Sequence, residues 1–353
     1  MSETASLRAD AQLDVRPCQS DSDGMYSESF TVSSFTFSDR DTDSSLTVMF
    51  CGLRIYVDIF AVNLQKSTKR LEEYLHFLKV ADVYELDGLT VEDFYDWVFE
   101  GCTSTFAQVK PPTLPTTLTL MDCLYPATRS YSLHANDRDD LELIETVNDP
   151  GKRVCLGTAV QHDLPHSWPS FTPSQVNICA DDSIQALRDG PQKVRVADYD
   201  VPLFFKPYVC GDRRSAEREL KAYAQIRQAN SSQLRTSTLF GLVHDDSGHL
   251  LGLLLHYIDC KGMTLKYAVT PEVSLSIRQY WAAQIDETLT HLHEAGIVWG
   301  DCKAANILID ADNDPWIIDF GGSYTPGWVD KDLAGTIEGD KQGLSRIMDY
   351  IFE

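Results

Sequence analysis

Two short polar motifs, each next to an apolar segment, limit what this chain can fold into more than any other feature. The first, Asp301-Cys-Lys303-Ala-Ala-Asn306, leads into an apolar strand predicted at residues 307–309. The second begins at Asp319, directly after an apolar strand predicted at residues 316–318. Two strand ends therefore present polar side chains to the same point.

These residue types suit phosphoryl transfer, in which catalysis consists mostly of positioning and charge neutralisation. We expect Asp301 to accept the proton of an attacking hydroxyl. We expect Lys303 to neutralise the negative charge of the phosphoryl group during its transfer. Asn306 and Asp319 carry hard oxygen ligands of the kind that Mg²⁺ prefers. The alternative, an ordinary polar loop and a turn between strands, is disfavoured because six specified residues occur in two blocks at a fixed spacing.

The pattern Asp-x-Lys-x-x-Asn, followed thirteen residues later by Asp319-Phe-Gly321, resembles the catalytic and metal-binding loops of the protein kinase superfamily. The wider sequences Gly296-Ile-Val-Trp-Gly-Asp-Cys-Lys303 and Ile318-Asp-Phe-Gly-Gly322 are similar to a group of fungal kinase-like proteins. The resemblance implies an α+β, bilobal protein kinase-like fold, with a small antiparallel β lobe and a helical lobe. It also implies ATP and Mg²⁺ as cofactors.

Composition divides the chain into five predicted segments. Residues 1–44, rich in Ser, Thr and Asp, are expected to form a disordered acidic tail. Residues 45–150 are expected to form an additional α+β module, and the proline-containing residues 151–182 a linker. Residues 183–258 are expected to be a kinase-like N-lobe and residues 259–353 a shortened C-lobe.

Local patterns within residues 45–150 predict the elements of the α+β module. These predictions are a β-rich segment at Leu46–Phe60, a helix carrying Leu71 to Leu78, a helix that begins with the capping-box pattern Thr90 to Asp93, a strand at Leu118–Leu120, and a hairpin of Tyr131–Leu133 with Leu141–Ile144. We find no catalytic constellation in this module. Its role as a docking module, a regulatory cap or a scaffold stays open.

The predicted N-lobe starts with strands at Ile184–Leu187, Val194–Val196 and Val201–Phe205. Strand alternation places Lys206 where it can reach phosphates across a cleft. The next predicted helix, residues 215–228, has Glu219 on its inward face, where a carboxylate is costly unless it is paired. We expect an ion pair between Lys206 and Glu219, with Glu217 as the second choice.

Two further strands are predicted at Phe240–His244 and Leu250–Ile258. The resemblance places Leu255 at the back of the adenine pocket, although Leu255 could equally be plain core. It assigns to His256, Tyr257 and Ile258 the backbone groups that bind the adenine edge. A long helix with an apolar stripe then ends near Gly296.

Three features depart from the kinase pattern. The turn before Val194 has only Gly190 in place of a glycine-rich loop, so we expect weaker or differently shaped triphosphate binding. Trp299-Gly300 stands where His-Arg is usual, so a receptor for a phosphorylated activation loop is not expected. The sequence given has 32 residues after Gly321, which predicts a shortened C-lobe and favours a small acceptor.

The chain has 353 residues, a net charge of −23 and 43% hydrophobic residues, enough for a substantial core. Residues 1–150 hold 26 acidic and 11 basic residues, so 15 of the 23 net negative charges lie there. Because an acidic surface repels phosphate backbones and anionic headgroups, we expect neither nucleic acid nor membrane as the main partner. The expected partners are nucleotide, a protein or small-molecule acceptor, and a protein bound through the α+β module.

The nine cysteines are scattered and include no Cys-x-x-Cys pair. This pattern favours reduced thiols in the cytoplasm or nucleus and disfavours a zinc site. The N-terminal residues have no apolar core of signal length, so secretion is not expected. Cys302, beside Asp301, is either a redox-sensitive thiol or an inert buried one, and the inert state is favoured.

We therefore predict an ATP- and Mg²⁺-dependent phosphotransferase similar to protein Ser/Thr kinases, with an alcohol as acceptor. Two alternatives stay open. A pseudokinase or scaffold would bind nucleotide or proteins without catalysis; the missing glycine-rich loop favours it, and the complete set of charged residues opposes it. A small-molecule kinase resembling aminoglycoside or choline phosphotransferases would fit the short C-lobe.

Overall fold

The computed structural model describes residues 30–37, 41–83, 85–110, 112–147, 156–160, 168–190, 193–229, 231, 234–322 and 324–353. It divides into two compact units. The first unit is Met1–Val154 with Ala180–Gly190, and the second is Cys155–Cys179 with Pro191–Glu353. None of the helices in the described ranges is long and apolar enough to cross a membrane.

The first unit is built on a five-stranded sheet in the order β1-β2-β3-β6-β7. Neighbouring strands are antiparallel except β3 and β6, which are parallel and joined by a crossover of helices. Its elements are β1 (Phe30–Phe37), β2 (Asp43–Phe50), β3 (Leu53–Phe60), α1 (Ala61–Leu64), α2 (Thr68–Val83), β4 (Glu85–Leu86), β5 (Leu89–Thr90), α3 (Val91–Phe106), α4 (Leu120–Leu124), β6 (Thr128–Ala135), β7 (Leu141–Thr146) and α5 (Ser183–Asp189).

Local sequence explains several of these elements. Cys51 and Gly52, which join β2 to β3, have φ of 49° and 78°, the left-handed pair of a tight hairpin turn. Helix α3 begins after Thr90, and its capping box is formed as predicted, since Asp93 Oδ2 accepts a hydrogen bond of 2.7 Å from the Thr90 amide. The predicted helix in α2 and the predicted hairpin of β6 with β7 are also confirmed.

The core of the first unit is centred on the buried ring of Phe94 in α3. Besides its chain neighbour Tyr95, four aromatic rings have their centroids 5.0 to 6.4 Å from it: Phe35, Tyr74, Phe77 and Trp97. Aromatic groups at these distances add favourable ring contacts to the burial of apolar surface. These aromatic residues therefore belong to the core of the module.

Two predictions for the first unit are wrong. Phe30–Phe37, predicted to belong to the disordered tail, forms β1, because Phe35 and Phe37 alternate inward into the core and the whole strand pairs with β2. Leu118–Leu120, predicted as a strand, leads into α4, which a second capping box between Thr119 and Asp122 starts. The remainder of the predicted tail, residues 1–29, lies outside the described residues.

The second unit contains a six-stranded sheet in the order β8-β12-β13-β11-β10-β9 and a helical part with a short hairpin. Strands β9 to β13 are joined in antiparallel pairs, and β8 is parallel to β12. Its elements are β8 (Ser170–Phe171), β9 (Val176–Ile178), β10 (Val194–Val196), β11 (Leu203–Pro207), α6 (Arg213–Ala229), β12 (Leu239–His244), β13 (Leu250–His256), α7 (Leu265–Ala268), α8 (Leu275–Glu294), β14 (Ile307–Ile309), β15 (Pro315–Ile317) and α9 (Ile337–Phe352).

The start of the sheet differs from the prediction. Ile184–Leu187, predicted as the first strand, lies in helix α5 of the first unit, because Asp182 caps the helix by accepting from the amides of Ile184 and Gln185. The first strand that pairs with β10 is β9, in the stretch predicted to be a linker. Apolar residues between the prolines of this stretch therefore form strands. A prediction that relies on proline content alone misses these strands.

The later predictions are confirmed. Helix α6 buries Glu219, Ala222, Tyr223 and Ile226, the residues predicted to face inward. Helix α8 carries the predicted apolar stripe and ends at Glu294. Strands β14 and β15 form the predicted pair, joined by a turn at residues 310–314.

The cysteines are described in part. Cys51, Cys102, Cys123, Cys179, Cys260 and Cys302 are free thiols. Cys210 is disulfide-bonded, so the expectation of reduced cysteines is wrong at this residue. The spacing of cysteines along a sequence carries no signal for a pair that tertiary structure brings together.

We predict that Phe94→Ala lowers the free energy of unfolding by about 3–5 kcal/mol, because it removes a buried ring and leaves a cavity among four aromatic neighbours. Chemical denaturation of the full chain would measure this. The control is Val62→Ala, since Val62 is 66% exposed and its replacement should change stability by less than about 0.5 kcal/mol. Equal effects of the two substitutions would show that the ring of Phe94 does not hold this core together.

Candidate active site

The β14–β15 hairpin, helix α6 and strand β11 bring the predicted site residues together. Asn306 immediately precedes β14, and Asp319 follows β15 after one residue. Lys206 lies near the end of β11, and Glu219 lies at the middle of α6. The two polar motifs of the sequence thus meet the predicted lysine and glutamate.

Lys206 connects two carboxylates. Its Nζ donates to Oε1 and Oε2 of Glu219, both at 2.8 Å, and to Oδ1 of Asp319 at 2.7 Å. The predicted ion pair with Glu219 is therefore present, and the fallback Glu217 instead pairs on the helix surface with Arg213. The additional bond to Asp319 links strand β11 to the end of the hairpin.

The carboxylate of Glu219 is completely buried and fully hydrogen-bonded. Besides Lys206, it accepts from the hydroxyl of Tyr208 at 2.6 Å and from the hydroxyl of Tyr223 at 3.3 Å. A buried charge is tolerated only when its lone pairs find partners of this kind. The contact of Tyr208 was not predicted, because it depends on the packing of α6 against the end of β11, whereas Tyr223 lies one turn after Glu219 on α6 itself.

The ionisation of this cluster follows from its charges. Burial by itself would lower the pKa of Lys206, but the carboxylates of Glu219 and Asp319 raise it above its ordinary value. Burial by itself would raise the pKa of Asp319, but Lys206 holds it below its ordinary value. Burial, followed by the charge of Glu219, raises the pKa of both Tyr208 and Tyr223, so both are neutral hydroxyl donors at neutral pH.

Asp301 is oriented by three side chains. Its Oδ1 accepts from the hydroxyl of Thr325 at 2.7 Å, and its Oδ2 lies 2.9 Å from Lys303 Nζ. Asn306 Nδ2 donates to Asp301 Oδ2 at 3.1 Å and to its backbone oxygen at 3.0 Å. Lys303 also donates to Thr325 at 3.0 Å, so the hydroxyl of Thr325 lies between the candidate base and the candidate phosphate-binding lysine.

Asn306 and Asp319 fit a magnesium site by their chemistry. Because Asn306 uses its amide nitrogen toward Asp301, its carbonyl oxygen is the group left to bind a cation. Asp319 keeps a second carboxylate oxygen beside the one that accepts from Lys206. Within the described residues no group of three or more His, Cys, Asp or Glu side chains is arranged to hold a metal. Mg²⁺ commonly uses only one or two protein ligands together with phosphates and waters.

The backbone after Asp319 comes very close to its neighbours. Asp319 has φ of 65°, in the left-handed region. A Cβ at residue 322 would lie 2.4 Å from the Cβ of Asp301, and one at residue 321 would lie 2.6 Å from Ser215 Oγ. Glycine is therefore required at residue 322, where the two loops approach each other. The Cβ of Asp301 is fixed by its backbone and cannot move away as the end of a flexible side chain could.

Helix α6 holds this loop with two more side chains, which we call the α6 clamp, Ser215 and Arg218. Ser215 Oγ donates to the carbonyl oxygen of Gly321 at 2.9 Å. Arg218 donates to the same oxygen at 3.1 Å and also to the carbonyl oxygen of Gly322. Sequence patterns did not identify the α6 clamp, because its partners are backbone atoms more than 100 residues away.

The loop before Asp301 is held by Asp340 of helix α9. The buried carboxylate of Asp340 accepts from the amides of Trp299 at 2.7 Å and Gly300 at 2.8 Å, and its Oδ2 lies 2.9 Å from His293 Nε2. Trp299, which replaces the usual histidine, is wholly buried and donates its indole N–H to the carbonyl oxygen of Ile318 at 2.8 Å. His293 thus has a structural contact with helix α9. The role of Asp340 was missed.

The predicted nucleotide-edge residues lie at the end of β13. Leu255 is buried and pairs with Phe204, on the same sheet face as Lys206 and its partner Leu253. His256 is exposed, whereas Tyr257 and Ile258 are half-buried. Their contact with an adenine stays a prediction.

Cys302 is buried, and burial raises its pKa well above its ordinary value. A Cβ at residue 343 would lie 2.6 Å from the Cβ of Cys302, so the side chain packs directly against helix α9. A protonated, enclosed thiol is a poor nucleophile and a poor target for oxidants. The structure therefore agrees with the inert state.

Comparisons with known proteins point to one superfamily. Residues 211–327 match the family model described as the protein kinase domain. The human hormonally up-regulated neu tumor-associated kinase is 29% identical over 116 residues, which are 32% of this chain and 15% of that protein. An Aurora kinase of Eremothecium gossypii is 28% identical over 135 residues, 38% of this chain and 35% of the kinase.

A serine/threonine-protein kinase of Eremothecium gossypii is 34% identical over 67 residues, 19% of this chain and 9% of that protein. The chain therefore spans only a small part of the length of the curated relatives that it matches. The matched region nevertheless holds α6, both polar motifs and the β14–β15 hairpin. Residues 211–327 are thus similar to a protein kinase domain, and the chain has an α+β fold consistent with the bilobal protein kinase-like fold, with an additional α+β module as its first unit.

We predict that Asp340→Ala lowers the free energy of unfolding by about 2–5 kcal/mol, because two buried amides lose their acceptor. Asp340→Asn should cost less, since it keeps one acceptor oxygen for the two amides. Denaturation of the full chain would measure both. The matched control is Asp286→Asn on the exposed face of α8, which should change stability by less than about 0.5 kcal/mol. If Asp340→Ala were as harmless as the control, Asp340 would not anchor this loop.

Proposed function

We propose that the chain is an ATP- and Mg²⁺-dependent phosphotransferase that acts on a hydroxyl of its acceptor. The observation that carries the proposal is the contact of one lysine, Lys206, with both Glu219 and Asp319. It links the phosphate-binding strand to the metal-binding loop, as phosphoryl transfer requires. The kinase relatives support the same reaction class.

Each residue has a defined task in this proposal. Lys206, held by Glu219, binds the phosphates of the nucleotide, and Asn306 and Asp319 supply oxygen ligands to the metal. When bound, Mg²⁺ supplies charge neutralisation of the phosphate oxygens. Leu255 packs against the adenine, and the backbone of His256 to Ile258 binds its edge.

The candidate base, Asp301, is already oriented for its task. Thr325 and Asn306 fix the two oxygens of its carboxylate, and Lys303 holds a positive charge beside it. In the proposed reaction Asp301 accepts the proton of the acceptor hydroxyl, and Lys303 stabilises the charge on the transferred phosphoryl group. Positioning by neighbouring side chains of this kind reduces the reorganisation needed during the reaction.

The acceptor is the least constrained part of the proposal. One relative is named a serine/threonine-protein kinase, which supports a protein acceptor, and the others are named kinases. The hydroxyl of Thr325, between Asp301 and Lys303, adds a polar group at the place where the acceptor hydroxyl would approach. We therefore propose a polypeptide with Ser or Thr as the first acceptor class to test.

We predict that ATP with Mg²⁺ raises the thermal unfolding temperature, because a ligand at 100 times its Kd stabilises the native state by about 2.7 kcal/mol. ATP without Mg²⁺ should give a smaller shift. Asp319→Asn should abolish the difference between the two conditions, and Asp286→Asn should preserve it. A differential scanning measurement on the full chain checks this. Identical shifts with and without Mg²⁺ in the wild-type chain would exclude the proposed metal site.

We predict that Asp301→Asn lowers kcat by about 10²–10⁴-fold, the range expected for a lost general base. The KM for ATP should stay nearly constant, because Asp301 faces the acceptor and Asn keeps the size of the side chain and one of its two acceptor oxygens. ADP release with a panel of Ser- and Thr-containing peptides would provide the rates. Unchanged turnover would refute the base assignment. Nucleotide binding without turnover in the wild-type chain on every acceptor would favour a pseudokinase.

A further inference from the structure

A cavity of about 320 Å³ lies in the second unit, away from the residues assigned above to phosphoryl transfer. Three segments line it: residues 234–238 before β12, residues 256–259 after β13, and the turn between β14 and β15. Its lining residues include Thr236, Asp259, Asp310, Asp312 and Trp316. This volume is at the lower end of the range for ligand-binding pockets.

The hairpin topology separates this cavity from the candidate active site. Asn306 and Asp319 are at the open end of the β14–β15 hairpin, whereas Asp310 and Asp312 are in the turn that closes it. None of the catalytic or metal-binding candidates is among the residues that line the cavity, and neither is Leu255 on the Lys206 face of the sheet. The cavity shares His256, Tyr257 and Ile258 with the predicted adenine edge, but its other walls lie at the opposite end of the hairpin from Asn306 and Asp319.

The cavity wall combines acidic and aromatic groups. Asp259 and Asp312 are exposed, and Asp310 is half-buried. Asp310 fixes the ring of Trp316 by accepting from its indole N–H at 2.8 Å. The nearest cations are already engaged: Arg235 pairs with Asp314, and Lys193 Nζ lies 4.7 Å from the centre of the Tyr257 ring.

An unpartnered buried hydroxyl also lines the cavity. Thr236 is 1% exposed, and in the described part of the chain its Oγ1 has no hydrogen-bond partner. Burying a hydroxyl without a partner costs free energy, so such an atom is uncommon unless a ligand or water completes it. A threonine hydroxyl can donate as well as accept, but beside the exposed carboxylates of Asp259 and Asp312 a cationic hydrogen-bond donor is the favoured partner.

We propose that this cavity binds the side chain of an arginine or lysine presented by a partner polypeptide. The apolar stem lies against Trp316 and Ile258, the charged end is drawn to Asp259 and Asp312, and an N–H group donates to Thr236 Oγ1. The exposed rim leaves one side open, which suits a tethered side chain better than a free small molecule that needs enclosure. Residues 151–353 hold 27 acidic and 19 basic residues, a net charge of −8, which favours a basic segment as the partner. This inference does not depend on catalysis.

The test uses fluorescence anisotropy of the full chain with a labelled ten-residue peptide of Gly, Ser and two Arg residues, at low salt. The same peptide with norleucine in place of Arg and the free cation butylguanidinium are the comparison probes. We expect the Arg peptide to bind, the norleucine peptide not to bind, and butylguanidinium to compete only weakly. Competition by butylguanidinium at the concentration of the peptide itself would overturn a polypeptide partner.

Matched variants separate the cavity from the general acidity of the chain. The double variant Asp259→Asn with Asp312→Asn should weaken peptide binding about fivefold or more, since each exposed carboxylate contributes up to about fivefold. The control, Asp286→Asn with Glu287→Gln on the exposed face of α8, removes the same charge outside the cavity and should change binding less than about twofold. Equal weakening by the two double variants would overturn the site.

Two uncharged substitutions complete the test. Thr236→Val should maintain or raise the unfolding temperature, because it removes an unpartnered hydroxyl, and it should weaken the Arg peptide about threefold or more. Ala311→Phe at the rim should block the cavity without changing the charge. Peptide binding that is unaffected by both substitutions, in variants that fold normally, would show that the peptide binds elsewhere and would overturn the proposal.

Discussion

The ammonium group of Lys206 is the contact on which the second unit depends. It neutralises the wholly buried carboxylate of Glu219 and reaches Asp319, 113 residues further along the chain. Without this cation, the carboxylate of Glu219 would be buried beside a second acidic group with only hydroxyl donors from Tyr208 and Tyr223, a costly arrangement in a low-dielectric interior. The ion pair thus joins the sheet, helix α6 and the β14–β15 hairpin into one structure.

The loops of the site are held from two sides. Helix α6 binds the carbonyl oxygens of Gly321 and Gly322 through the α6 clamp, and helix α9 binds the amides of Trp299 and Gly300 through Asp340. Both anchors use side chains on helices to satisfy backbone groups in irregular loops, which cannot pair with each other as strands do. The close approach of Gly322 to Asp301 is possible only because both loops are fixed in this way.

Sequence reasoning succeeded where the determinants are local. The spacing of Asp301, Asn306 and Asp319, and the inward stripe of α6 that carries Glu219, are written in short stretches of sequence, and the superfamily followed from them. Sequence reasoning failed where the role of a residue depends on a distant partner. In the sequence, Ser215, Arg218, Thr325 and Asp340 look like ordinary surface residues, and only the fold brings them into contact with distant backbone or carboxylate groups. The strand at Phe30–Phe37 was missed for the same reason, since its pairing with β2 overrides short-range propensity. The helix at Ser183–Asp189 was missed although its N-cap, Asp182, is a local signal.

The same contacts make the position of α6 decisive for the site. Displacement of α6 would break the ion pair between Lys206 and Glu219 and both contacts of the α6 clamp together, because all three involve residues within two turns of one helix. Contacts that form or break together give a cooperative, two-state element rather than a gradual one. The loop after Asp319 is therefore coupled to α6 directly, through its glycine carbonyl oxygens. Thr325, six residues after Asp319, is hydrogen-bonded to both Asp301 and Lys303.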